Sequence, residues 1–164
     1  MYFILREWQQ SDLDSLVKYA NNSRIAKNMT NGFPHPYTLE SGQNFLNMAI
    51  ANNQTIKCID INGEACGGIG LHLQNDIHCK NAELGYWLAE PFWGKGIVPA
   101  AVKQITAYGF QNFDITRIFA RPFGTNIASQ KVLEKCGFTL EARLNKTIFK
   151  NDEFIDELIY SVRK

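Results

Sequence analysis

Two segments early in the chain repeat their apolar residues at helical spacing, and three that follow alternate them. SDLDSLVKYA (11–20) sets Leu13, Leu16, Val17 and Ala20 on one stripe, with Ser11 where an N-cap is expected. A strand, YFILREW (2–8), precedes it, and NGFPHPY (31–37), with two prolines and a glycine, reads as a loop. Thr38 then opens a second helix to Ala51, with Leu39, Leu46, Ala49 and Ile50 on one face. From residue 54 the period falls to 2. QTIKCIDI (54–61), a turn at Asn62-Gly63, ACGGIGLHLQ (65–74) and CKNAELGYWL (79–88) form a predicted three-strand meander. VPAAVKQITAYGF (98–110) returns to helical spacing and DITRIFA (114–120) is a short strand. Asn126 to Cys136 is a further helix, stopped by Gly137, and two strands around KNDE (150–153) close the chain as a hairpin.

A meander pairs antiparallel, whereas the strand-helix-strand unit over 82–120 predicts local parallel pairing. The expectation is an α/β (mixed α+β) fold: about seven strands in one mostly antiparallel sheet, helices on both faces, in one domain over 1–164.

Charge excludes more than it suggests. Seventeen Lys and Arg against 16 Asp and Glu leave a formal net charge of +1, with no basic stripe for nucleic acid and no polybasic or amphipathic membrane anchor. MYFILREWQQ carries Arg6 and Glu7 inside its short apolar run and reads neither as a signal peptide nor as a span. Cys58, Cys66, Cys79 and Cys136 show no CxxC spacing; three fall in strand-like runs and one closes a helix, as expected of buried small hydrophobes in a reducing cytoplasm. His72, His78 and Cys79 fit no metal-ligand signature, so no metal is expected.

PFWGKGIVPAA (91–101) stands where strand hands over to helix. The first backbone N–H groups of a helix lack partners inside it, and the helix dipole adds partial positive charge there. Gly94 and Gly96 let an anion approach those groups, Lys95 adds a cation at the rim, and Pro99 suits the first helical turn. A plain glycine turn would look much the same. The nucleotide-triphosphate loop is absent, and Pro99 stands where the dinucleotide fingerprint needs a small residue.

GYWLAEPFWGKGI followed by GTNIASQKVLEKCGF (124–138) resembles the GNAT acetyltransferase superfamily, and within it the RimJ and RimL branch of ribosomal-protein alanine acetyltransferases. The likeness extends over nearly the whole chain and implies a GNAT-type fold with splayed central strands. It implies acetyl-CoA as donor, with its pyrophosphate on the amides of Gly94, Lys95, Gly96, Ile97 and Val98. The pantetheine arm would follow the strand end at Tyr86, Trp87 and Leu88 and meet Asn126, with Trp93 and Ser129 as further cofactor contacts; Lys131 is a candidate cation for the CoA phosphates. Trp93 and Val98 fill the first and last places of the family's Q/R-x-x-G-x-G/A pattern, and Pro99-Ala100-Ala101 replaces the Thr-Glu-Ala of many relatives.

Transfer of acetyl from sulfur to a primary amine needs a neutral amine, a donor for the oxyanion and a proton for the thiolate. Many relatives place a tyrosine acid seven positions beyond the asparagine, where this chain has Leu133. Ser129 matches the serine that the RimJ and RimL branch carries, one helical turn from Asn126. Glu83, on a strand face with Gly85 and Trp87, is the candidate base; its four strand steps to Trp87, about 13 Å, favour a relay. The same resemblance brings the acceptor, a peptide N-terminus or a small-molecule amine, between 31–37 and 150–153. Phe33, His35, Tyr37 and Asp156 are the candidate contacts there, Asp156 either reading an ammonium or holding a loop. A homodimer is a habit of the family. The alternative is a non-catalytic acyl-CoA-binding or regulatory domain of the same fold.

Overall fold

The computed structural model describes residues 1–164. Seven strands form one sheet: β1 (Ile4–Arg6), β2 (Ile56–Ile61), β3 (Glu64–Leu73), β4 (Asn81–Leu88), β5 (Arg117–Ala120), β6 (Thr139–Lys150) and β7 (Glu153–Arg163), in the order β1-β2-β3-β4-β5-β7-β6. All pairings with a defined register are antiparallel except β4 with β5, which is parallel and aligns Glu83 with Phe119. Backbone contacts divide the chain into two compact units, Met1–Gly70 with Tyr86–Ala101, and Leu71–Gly85 with Val102–Lys164. No helix is long and apolar enough to cross a membrane.

In the first unit, α1 (Leu13–Ala20) and α3 (Leu39–Ala51) bury Leu16, Ala20, Leu46 and Ala49 against Trp8, Ile56, Cys58 and Trp87. Thr38 caps α3 as expected, its hydroxyl accepting from Ser41 N at 3.1 Å. Ser11 does not cap α1: it lies inside a 3-10 turn (Gln10–Asp12), and Asp12 caps that turn by accepting from Gln9 N. Leu39 shares the α3 face but sits in its first turn, beyond the reach of the core, and is exposed. A short helix, α2 (Ser23–Ala26), escapes the sequence pattern because four residues carry no period; the Asn22 side chain holds it by accepting from Arg24 N and Ile25 N.

Arg6 organises the polar side of this unit. Its guanidinium grips Asp12 with two 2.8 Å bonds and reaches Asp60 at 2.7 Å, while Asp60 also accepts from Gly63 N in the β2–β3 turn. Both aspartates are nearly buried, and their pull raises the Arg6 pKa above its ordinary value.

In the second unit β5 begins at Arg117, later than the apolar run suggests, because Asp114 turns outward to pair with Lys80. Helix α4 (Ile97–Asn112) supplies Val102 and Ile105 to the core, and α5 (Ile127–Lys135) supplies Leu133. In the first unit Cys58 and Cys66 are buried, and burial pushes the Cys66 thiol up to about 11. Cys79, expected inside a strand, instead follows a 3-10 turn (Asp76–His78) and is exposed.

Candidate active site

In the first unit the end of β4 leads through a 3-10 turn (Glu90–Phe92) into the start of α4. Trp87 and Leu88 keep their side chains in the core, so this strand end can offer a ligand little besides its backbone. Trp93 closes the bend, its indole N–H donating to Leu88 O at 2.7 Å. Gly94 and Gly96 then take φ of +73° and +75°, a left-handed conformation that side chains disfavour. No heavy atom lies within 4 Å of where a Cβ at either glycine would stand. The bend is therefore not plugged by the protein's own side chains at these two positions. Ile97 anchors the first turn of α4 with its side chain buried, Val98 is half-buried, and Pro99 falls within that turn. Lys95 is exposed, its ammonium 5.4 Å from the centre of the Phe92 ring.

One cation at this bend has no sequence signal. Arg24 packs its guanidinium over the Trp93 ring at 5.4 Å and pairs with Glu90, which also accepts from Asn22 Nδ2 at 2.8 Å. These partners lie more than sixty residues apart, and only the fold joins them.

The three aromatic-loop candidates separate. Phe33 packs edge-on to Trp87 and against Tyr37, at 5.7 and 5.0 Å between ring centres. Tyr37 is not a rim residue: it is buried, its N–H donates to Asn21 Oδ1, and burial pushes its phenol up to about 12. His35 is exposed.

In the second unit Asn126 caps α5, its Oδ1 accepting from Ser129 N at 3.2 Å. An asparagine oxygen used in this way leaves the amide N–H₂ as a donor group. Ser129 is half-buried one turn into the helix, and Lys131 is exposed. Leu133 is fully buried, so its position faces the core. Glu83 accepts from Arg121 Nε at 3.0 Å, and Arg121 also lies 3.5 Å from Glu157. Arg121 is thus tied to two carboxylates, a pairing created by the parallel alignment of β4 and β5. Both oxygens of Asp156 are occupied, one by Arg143 Nε at 2.8 Å and one by Lys146 N at 3.0 Å, and its carbonyl accepts from Gly124 N. Those bonds, the Lys146 amide foremost, hold its carboxyl below the usual range. Of the two expected roles, the geometry around Asp156 is that of a loop holder.

Residues 3–139 match the acetyltransferase (GNAT) domain, and the chain belongs to the GNAT acetyltransferase family. Bacillus subtilis YdaF, named provisionally as a ribosomal N-acetyltransferase, is 34% identical over 102 residues, which are 62% of this chain and 55% of YdaF. The chain thus spans about half the length of this curated relative. Among solved structures, the microcin C7 self-immunity acetyltransferase MccE, in complex with acetyl-CoA and AMP, is 27% identical with a TM-score of 0.84, covering 99% of this chain and 92% of that one. RimL, the ribosomal L7/L12 α-N-protein acetyltransferase in complex with coenzyme A, shares the fold at a TM-score of 0.87 and 23% identity, covering 98% and 93%.

Proposed function

We propose that this chain works as one domain that transfers an acetyl group from acetyl-CoA to a primary amine by direct attack. One observation carries the reading: the glycine bend ahead of α4 is open where side chains would otherwise stand. A pyrophosphate there gains the partial positive charge of a helix start, and amides of Gly94 to Val98 are its donors. Trp93 and Lys95 border that bend, and Tyr86, Trp87 and Leu88 offer backbone groups to the pantetheine arm in the manner of an added strand. Asn126 and Lys131 are proposed as further contacts. Ser129 is proposed to protonate the departing thiolate, and Glu83, paired with Arg121, to serve as the base that accepts the amine's proton through a relay.

The acceptor proposed first is a peptide N-terminus, which the resemblance to the RimJ and RimL branch favours, and small-molecule amines come second. A net charge of +1 gives no special attraction for a polycation. Phe33 and His35 are the proposed acceptor contacts; Tyr37 and Asp156 serve the fold. We place the protein in the cytoplasm, with homodimer formation as the family habit.

One observation favours the rival reading, a non-catalytic acyl-CoA-binding domain: Leu133, fully buried, replaces the tyrosine acid of many relatives. Thiol release from acetyl-CoA, measured over a panel of peptide N-termini, polyamines and amino sugars, separates the two. Release with at least one acceptor, greatly reduced in Ser129→Ala, is expected. Tight CoA binding with no release for any amine would decide for the rival.

A further inference from the structure

The proposed relay from Glu83 lacks a member that touches the acceptor's nitrogen. Glu83 itself is engaged by Arg121, and it lies well short of the strand end where the pantetheine arm is placed. The neighbouring strand supplies a group. Gln74 N donates to Asn81 O at 2.9 Å, and two residues further along each chain the same antiparallel register sets His72 opposite Glu83. Directly opposed residues share a sheet face with Cβ atoms about 4.5–5.5 Å apart, close enough for one water to bridge imidazole and carboxylate.

Gly85 opens the space beside this pair. A Cβ there would stand 3.8 Å from His72 Nε2, so the imidazole edge lies beside a residue of this face that has no side chain. Gly85 immediately precedes Tyr86, where the proposed pantetheine path begins. His72 is exposed, and neither the fold nor the phosphate bend uses it. Imidazole is also the side chain most often found transferring protons in catalysis.

We propose that His72 is the general base of the acetyl transfer, taking a proton from the acceptor's nitrogen, with Glu83 behind it in the relay. This rests on the acetyltransferase reading above. The nitrogen–carbon bond forms and the carbon–sulfur bond breaks, its electron pair leaving on sulfur. An ammonium acceptor loses two protons: the first goes to water as the neutral amine forms, and the second passes to His72 Nε2 and on to solvent, while Ser129 protonates the CoA thiolate and is itself reprotonated from solvent.

Thiol release in His72→Gln and His72→Gly, with CoA binding followed by calorimetry, tests the assignment. His72→Gln is expected to lower kcat about a hundredfold and leave CoA affinity unchanged. Added imidazole is expected to restore much of the rate in His72→Gly and none in Ser129→Ala, a response that a merely structural histidine would not give. A His72→Gln rate within about twofold of the parent, or a His72→Gly variant deaf to imidazole, would overturn the assignment and leave the acetyltransferase reading standing. A parent protein that releases no thiol with any amine of the panel would remove both.

Discussion

Gly96→Glu is expected to weaken CoA binding about a hundredfold or more while the protein stays folded. Two costs combine at one residue. At φ +75° an L side chain is disfavoured by roughly 1–2 kcal/mol, so the variant's free bend is expected to relax and CoA must restore it, at about tenfold in affinity for each 1.4 kcal/mol. The new carboxylate would also face the phosphates, adding like-charge repulsion where the helix start otherwise attracts an anion. The change costs the fold backbone strain but no steric clash, since a Cβ at this position meets no atom within 4 Å. Gly96→Ala carries the backbone cost without the charge and should lose tenfold or less. Calorimetry with CoA on both variants, beside circular dichroism for helix content, reads the difference. Equal affinity in Gly96→Glu and the parent would contradict the phosphate assignment.

Arg6→Met should produce the largest loss of stability of any single change outside the apolar core. The substitution keeps most of the side chain's length and leaves Asp12 and Asp60, whose side chains are 8% and 9% exposed, without their cation. Removing one partner of a buried ion pair costs about 3–5 kcal/mol, because a charge is left where water cannot reach it. For a chain of this size that corresponds to a melting temperature lower by roughly 10 °C or more. Asp12→Asn together with Asp60→Asn in the Arg6→Met background should recover part of the loss, since no charge then stays buried. A single variant that melts within about 2 °C of the parent would show that the network contributes little.

What could be read from the sequence was local. Gly94, Lys95 and Gly96 sit at a junction whose strand and helix each announce themselves by period, and Thr38 caps α3 within three residues of itself. The parallel pairing of β4 with β5 followed from the length of the intervening helix. Illegible were the partners that only tertiary structure selects. Glu83 finds Arg121 thirty-eight residues away, and Arg24 finds Glu90 and Trp93 across most of the first unit. Tyr37 looked like a rim aromatic because its loop is polar and proline-rich, yet the same loop folds it inward against Phe33. Ser11 failed as a cap because Asp12, one residue later, offers a carboxylate that both closes the turn and meets Arg6. His72 carried no motif at all; its interest comes from the strand beside it.

The most direct measurement is a titration of ¹⁵N-labelled protein with CoA, followed amide by amide. If the helix-start amides grip the pyrophosphate, the resonances of Gly94, Lys95, Gly96, Ile97 and Val98 move furthest, and in the Gly96→Glu variant those of Gly94, Lys95, Ile97 and Val98 stay in place. Saturable CoA binding that leaves those five resonances still and moves others would place the phosphates elsewhere on the chain.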